Sequence, residues 1–294
     1  MPKIITEDMI EQAAIKALHE RHNYTVLNCM TEEPDTLPDG TGRKDKKQVV
    51  LPDVMLESLC RINPDIPEQT VRTVVDELCH TPVSGDLMLT NYQNYQKIRN
   101  GITVEYNKDG KETSNILRLL SYNDALSNTF TVASQMWIKG ETHWRRPDLI
   151  IFINGFPLVF IELKNSNIPV KNAYDINLKN YLKDIPYLFN YNQICVLSNG
   201  METRLGSFAA GYEFFFEWLK VENEKENPDR KAIRENCTSL EYFIAGLCEP
   251  KNLLDYIENF ILYDRRRTKI IAKNHQFFGV NNAYNAFLRR EELK

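Results

Sequence analysis

Residues 145–165 read Arg145-Arg146-Pro147-Asp148-Leu149-Ile150-Ile151-Phe152-Ile153-Asn154-Gly155-Phe156-Pro157-Leu158-Val159-Phe160-Ile161-Glu162-Leu163-Lys164-Asn165. Two apolar runs flank Asn154-Gly155, a dipeptide that favours the tight turn of a β-hairpin. The first run is led in by an acid, Asp148, and the second ends in charge at Glu162 and Lys164. Side chains two apart on a strand share a face. Glu162 and Lys164 are therefore expected to project together, with Leu163 turned the other way into packing. The turn brings the second strand back along the first, so Asp148 and Glu162 are expected to meet at one end of the hairpin.

Carboxylates on such apolar strands are costly unless they are paired or hold a metal. Two neighbouring carboxylates repel, and a divalent cation removes the repulsion. Mg²⁺ favours one or two carboxylates together with waters and substrate phosphate oxygens. A lysine beside them places a positive charge near a water or a phosphate under attack. A lone Glu-x-Lys is common and most often a surface ion pair at a strand end. Here it coincides with a Pro-Asp and a hairpin of suitable length, and the three together point to a metal-dependent site.

Outward from this stretch, helical and strand patterns alternate. Residues 6–20 read as a helix capped by Thr6, with Ile10, Ala13, Ala14, Ala17 and Leu18 on one face. Glu11 lies on the border of that face and looks either into a cleft or into water. Residues 31–48 read as a polar loop, and helices follow at 52–62 and 67–80, with Pro67 in the first turn of the second. Strands at 102–106 and 115–119 flank the hairpin turn Asn107-Lys108-Asp109-Gly110. A strand is expected at 130–137, a helix at 175–189, a buried strand at 193–198, a charged loop at 221–232 and helices from 239 to 263. Strands followed by a helix and a further strand predict an α/β fold of the α+β type: a mixed central sheet flanked by helices, with an N-terminal helical elaboration.

The bulk properties set limits. The chain has 294 residues, 43% hydrophobic and 26% charged, which is ordinary globular composition. Its net charge of −4 is unlike the basic balance of many nucleic-acid binders, although local potential decides binding. The six cysteines form no C-x-x-C pair and read as reduced thiols, and the five histidines lack zinc spacing. No signal peptide and no run near ~20 apolar residues is present. A cytoplasmic protein without membrane association is the expectation.

The Pro-Asp hairpin ending in Glu-x-Lys resembles the PD-(D/E)-x-K nuclease superfamily. The fuller wording of 145–165 resembles, more particularly, the restriction (R) subunit of type I restriction–modification enzymes. Tyr181-Leu182-Lys183-Asp184-Ile185-Pro186-Tyr187-Leu188-Phe189, Tyr191-Asn192-Gln193, Ser198-Asn199-Gly200, and Asn128-x-Phe130 with Gln135 fit the same family. The resemblance implies a restriction-endonuclease-like core at about residues 100–220. It implies an endonuclease domain over 1–260, and a linker with the start of a helicase-like motor over 261–294. Asp148, Glu162 and Lys164 match the catalytic residues; Asp148, Glu162 and the Leu163 carbonyl match the Mg²⁺ ligands. Glu11 matches a helix-borne acid of related nucleases.

The family's Gln-x-x-x-Tyr becomes Asn177-x-x-x-Tyr181, an accessory pair or an ordinary helix-surface pair. Arg145 and Arg146 either contact the DNA backbone or line a solvated strand edge. Arg265-Arg266-Arg267 and Lys269 read as a solvated helix face. Residues 272–280 resemble the lead-in to the motor, where Gln276 matches an adenine-reading glutamine. The chain stops at Lys294, before any phosphate-binding loop; Gly40-Thr41-Gly42-Arg43-Lys44 lacks the spacing. ATP is therefore implied only for the full-length subunit. Implied partners are double-stranded DNA and the methyltransferase (M) and specificity (S) subunits. Two other readings remain: a nuclease of the same fold in repair or a mobile element, and a catalytically silent docking module.

Overall fold

The computed structural model describes residues 4–80, 85–108 and 110–292. Met1 to Lys3, where the absence of a signal peptide was read, and Asp109 of the expected turn lie outside the described residues.

Strand β7 (Leu149–Ile153) turns at Asn154 and Gly155 into β8 (Phe156–Leu163), and every residue of both strands is buried. Asn154 and Gly155 take φ of 49° and 82°. The Asn154 side chain accepts from the Thr129 N–H and donates to the Leu119 carbonyl and to Asn128. A Cβ on Gly155 would meet the Leu51 carbonyl at 2.6 Å. Gly155→Ala is therefore expected to cost more than about 1 kcal/mol, through both the left-handed φ and the clash, read as a fall in the urea midpoint.

The hairpin forms the middle of a seven-stranded mixed sheet. Its other members are β1 (Thr25–Asn28), β4 (Phe130–Ser134), β9 (Ile194–Ser198), β10 (Thr203–Gly206) and β11 (Phe216–Glu217), in the order β1-β4-β7-β8-β9-β10-β11. The β1–β4 and β8–β9 pairs are parallel and the others antiparallel. Between Ile151 and Phe152 the β7–β8 register shifts by a bulge, which accommodates Pro157 in an otherwise central strand.

Strand alternation splits the core in two. Leu149, Ile151 and Ile153 join one apolar cluster with Ile10 and Leu18 of α1 (Glu7–His22), Met55 and Leu59 of α2 (Pro52–Ile62), and Val71 and Val75 of α3 (Glu68–Cys79). Tyr95 of α4 (Leu87–Asn100) belongs to the same cluster. Ile150, Phe152 and Phe160 join the other, with Leu178, Tyr181 and Phe189 from the segment after the hairpin. Asp148 and Glu162 have the parity of Ile150 and Phe160, so both belong to this second face. The mixed sheet with helices packed on it agrees with the expected fold class.

The N-terminal expectations hold closely. Thr6 caps α1, accepting from the Met9 N–H, and α2 and α3 fall where the apolar stripes put them. Pro67 is the residue before α3 rather than inside its first turn. Residues 31–48 are a loop, organised around a buried ion triad in which Arg43 and Lys46 hold Asp39 at 2.6 and 2.8 Å.

Several elements differ from expectation. The strands of the β2 (Ile102–Lys108) and β3 (Lys111–Leu117) hairpin run closer to the turn than predicted. The strand at 130–137 stops at Ser134, because Gln135 turns left-handed at φ 55°. The helix expected at 175–189 begins with a π-helical stretch, Ala173–Leu178. It continues as α5 (Lys179–Asp184) and gives way before Pro186 to a 3-10 turn. Pro186 lacks the N–H to continue the ladder, so the helix closes there.

The charged loop at 221–232 already enters α6 (Arg230–Asn236) in its last three residues. α7 (Ser239–Gly246) and α8 (Pro250–Asn259) follow. Residues 261–263 are not helical. They open a hairpin of β12 (Ile261–Asp264) and β13 (Thr268–Ile271), so the arginine run lies at a hairpin tip, not on a helix face. Lys269 is buried there and donates to the Asn192 carbonyl at 2.6 Å. Helix α9 (Asn274–Glu292) then seats Phe277 against Trp218, Tyr256 and Phe260. Among the described residues no helix is long and apolar enough to cross a membrane.

Candidate active site

Leu149 of β7 pairs with Ile161 of β8, so the next residues outward, Asp148 and Glu162, come side by side at the open end of the hairpin. The Asp148 Oδ2 accepts from the Leu163 N–H at 2.7 Å, which fixes its carboxyl against the second strand. Glu162 is 2% exposed. Its Oε1 accepts from Lys164 Nζ at 3.0 Å, and the same ammonium donates to the Leu163 carbonyl at 2.5 Å. Lys164 lies just past β8, where its N–H donates to the Ser198 carbonyl. The three residues singled out from the sequence are thus brought together, and Leu163 packs into the apolar cluster of the opposite face.

The electrostatics follow from this crowding. Burial raises the Glu162 carboxyl to about 8, and the Asp148 charge pushes it the same way against the pull of Lys164. Asp148 is also raised, chiefly by burial, while the Leu163 N–H and Lys164 oppose the shift. The Glu162 Oε2 has no hydrogen-bond partner. Among the described residues five buried side-chain polar atoms stand so, and this is the only carboxylate oxygen of the five. A buried carboxylate oxygen left bare next to a second carboxylate fits a cation. No three His, Cys, Asp or Glu side chains converge as a metal cluster among the described residues; the oxygens gathered at this edge are those of two carboxylates and a backbone carbonyl. That set suits Mg²⁺, which keeps waters and takes few protein ligands.

Two helices wall the site. The N-terminus of α1 is tied to the end of β8 by a reciprocal pair: the Glu7 N–H donates to Asn165 Oδ1, and the Asn165 N–H donates to Glu7 Oε1. Lys164 Nζ lies 3.9 Å from that Glu7 carboxylate. Glu11, one turn on, is 6% exposed and raised to about 7, mainly by burial. On the other wall, Tyr181 of α5 packs its ring on Phe160 at 5.3 Å and donates its hydroxyl to the Arg146 carbonyl at 3.1 Å. Burial and the Glu162 and Asp148 charges hold that hydroxyl protonated. Asn177 is half-buried in the π-helical stretch preceding α5.

The two arginines before the motif part company. Arg145 Nε donates to the Asp184 carboxylate at 2.7 Å, and its Nη2 reaches the same oxygen. Arg146 lies over the Trp137 ring at 4.9 Å, and its charge is felt by Glu11. Gln276 is exposed, and its side chain accepts from the Lys273 N–H, capping α9.

Sequence reading gave Gln135 no role, yet its side-chain amide donates to Glu11 Oε2 at 2.5 Å. The signals it left were its fit to the family wording with Asn128-x-Phe130 and its position near the expected end of a strand. Glu7 and Asn165 were likewise passed over; each lies within three residues of a polar or charged neighbour that sequence alone cannot rank.

An α/β domain whose central hairpin brings two carboxylates and a lysine to one edge, walled by an acid-bearing helix, is the class that fold and site define. Residues 4–214 match the family described as the type I restriction enzyme R protein N terminus, and the chain belongs to that family. It is 35% identical to the type I restriction enzyme HindI endonuclease subunit of Haemophilus influenzae over 83% of this chain and 23% of that one. It is 28% identical, over 98% of this chain and 28% of the other, to the MjaIXP subunit of Methanocaldococcus jannaschii, whose own type I assignment is provisional. The chain thus spans about a quarter of the length of these relatives.

Proposed function

We propose that this chain is the endonuclease part of a type I restriction enzyme R subunit, with a PD-(D/E)-x-K core that hydrolyses DNA phosphodiesters. The observation that carries the reading is the bare, buried Glu162 Oε2 beside Asp148, with Lys164 on the other oxygen of the same carboxylate. Asp148, Glu162 and the Leu163 carbonyl would hold Mg²⁺. The bound ion would polarise a phosphoryl oxygen and offset the charge that builds up on it.

The chain's own residues supply the rest. The Leu163 N–H fixes the Asp148 carboxyl, so a bound phosphate meets a preset site rather than a mobile one. Lys164 presents an ammonium at the edge of the site, where it orients the attacking water and stabilises the transition-state charge. The Tyr181 hydroxyl, protonated and anchored on the Arg146 carbonyl, closes the wall beside Glu162. Attack is in line: a bond forms from water oxygen to phosphorus and the bond to the 3′ oxygen breaks. The products carry 5′-phosphate and 3′-hydroxyl ends.

In the whole subunit, residues 1–260 would form the endonuclease unit and 261–294 the passage to an ATP-driven motor that uses Gln276. The M and S subunits would supply recognition of the DNA sequence. The test of the nuclease reading is Mg²⁺-dependent nicking of supercoiled plasmid by this chain, with end-labelling to identify 5′-phosphates. Cleavage that proceeds equally well in EDTA would overturn it.

The arginines give a second test. Arg146 has no carboxylate partner among the described residues and faces the site; Arg145 is spent on Asp184. Arg146→Ala is expected to weaken binding of a nonspecific duplex and to lower the salt slope by about one. Arg145→Ala is expected to leave that slope unchanged and to cost about 1–3 kcal/mol of stability, by taking the guanidinium from the buried Asp184 carboxylate and leaving only His143 beside it. Fluorescence anisotropy across a salt series reads the first, and urea unfolding the second.

A further inference from the structure

We infer that Gln135 is a positioning residue that locks Glu11 and Asp148 into one acidic site. The inference rests on the metal-dependent reading above and deepens it. Gln135 is the first residue past the end of β4. The last β4–β7 pair is Ser134 with Leu149, and the Gln135 N–H then donates to the Asp148 carbonyl at 3.0 Å. To do so its backbone turns left-handed, at φ 55°. A residue other than glycine, asparagine or aspartate holds that conformation at a cost of about 1–2 kcal/mol. Such a cost persists where the surroundings fix it, and it is often met at functional sites.

The turn aims the side chain across the site. The Gln135 Nε2 donates to Glu11 Oε2 at 2.5 Å, a contact between residues 124 apart in sequence. The amide also lies against the Asp148 carboxyl. One residue therefore grips the main chain of Asp148, borders its carboxylate and holds the carboxylate of α1. A neutral amide does this without adding charge. An arginine or lysine here would satisfy both acids and leave neither free for a cation; a glutamate would add a third negative charge. The Glu11 carboxylate has no other protein hydrogen bond among the described residues. Without the amide, a buried acid on α1 has no side-chain partner to fix its direction.

The deciding experiment uses the intact chain and Mn²⁺ alone, without DNA. Gln135→Gly keeps the N–H to the Asp148 carbonyl, and glycine takes φ 55° without strain, so the backbone turn survives and only the amide is lost. Titration calorimetry is expected to show Mn²⁺ bound about 10- to 100-fold more weakly, the range typical of groups that orient metal ligands. Thermal stability in EDTA is expected to stay level or rise. Gln135→Asn, which tolerates the left-handed turn but falls one methylene short of Glu11, is expected to show the same loss. The double variant Gln135→Gly with Glu11→Gln is expected to bind no more weakly than the sum of its parts allows, with the two effects less than additive. Gln135→Gly that binds Mn²⁺ as the unaltered chain does would overturn the inference, as would fully additive effects. An unaltered chain that takes up no Mn²⁺ would overturn the metal reading itself and this inference with it, so the unaltered chain alone tells the two failures apart.

Discussion

Lys164→Ala is expected to lower Mg²⁺-dependent nicking of supercoiled DNA by about 10²- to 10³-fold, the usual cost of removing one preset transition-state donor, without weakening Mn²⁺ binding. The second half of this expectation comes from the geometry. Lys164 Nζ donates to Glu162 Oε1 and to the Leu163 carbonyl, two of the oxygens proposed to hold the cation. Ammonium and cation draw on the same acceptors, so removing the ammonium leaves those oxygens at least as available. A purely structural lysine gives the reverse pattern. Its loss would strip Glu162 of its one hydrogen-bonded counter-charge, lower stability, and reduce binding and cleavage together. Plasmid nicking and calorimetry on the same preparation separate the two. Unchanged nicking would remove Lys164 from the chemistry.

Glu162→Gln is expected to abolish Mn²⁺ binding and nicking, and at the same time to stabilise the metal-free chain at alkaline pH. Burial and Asp148 raise the Glu162 carboxyl to about 8 from an ordinary value of 4.5. Its folded-state pKa is thus above its unfolded one, so between those values the folded state binds the extra proton. Stability from this group falls as pH rises from about 4.5 to about 8, and above that the full cost of the buried charge is present, on the order of several kcal/mol. Glutamine keeps the shape and an acceptor for Lys164 without the charge. The variant and the unaltered chain should therefore melt alike near pH 5 in EDTA and diverge towards pH 8, with the variant the more stable. Added Mn²⁺ should raise the melting temperature of the unaltered chain only. Melting curves that stay parallel from pH 5 to 9 would contradict the burial argument. A site that costs stability when empty is the pattern expected of a functional constellation rather than a structural ion pair.

The hairpin was legible because three independent signals agree: uninterrupted apolar runs of strand length, a turn dipeptide that needs two left-handed residues, and charge confined to the open end. Each amphipathic helix with an apolar stripe, α1 to α3, was legible for a similar reason. α4 was not, because its buried side includes Thr90, Asn91 and Asn94, whose polarity hides the stripe. Asn91 and Asn94 are there to donate to main-chain carbonyls of residues 189–192, partners that only the tertiary structure reveals. β1 was missed because a four-residue edge strand with mostly exposed side chains has no pattern to detect. In β13 the pattern is inverted: Lys269 points in and Ile270 is 50% exposed. The buried ammonium donates to the Asn192 carbonyl and lies 5.6 Å from the centres of the Phe208 and Tyr263 rings, so a charge run read as a solvated face conceals a core residue.

The site divides along the same line. Asp148, Glu162 and Lys164 lie on one hairpin, where spacing of two and one turn fix their convergence. Glu11 was visible only as an acid at the border of an apolar helix face, since nothing in its neighbourhood in sequence says what α1 packs against. Gln135 was visible only through its fit to the family wording, which gave it no role. Its contribution depends on a left-handed turn at a strand end and on a partner 124 residues away. Asn177 and Tyr181 were expected on one face of an α-helix, but the π-helical stretch ends only at Leu178, and local sequence carries no clear signal for that.

The most direct measurement is the anomalous density of Mn²⁺ in a crystal of this chain. One strong peak is predicted, at roughly the 2 Å oxygen distance of a Mg²⁺-type site, from Asp148, Glu162 and the Leu163 carbonyl. A peak elsewhere with this hairpin end empty, or Asp148 and Glu162 carboxylates turned away from each other, would contradict the account.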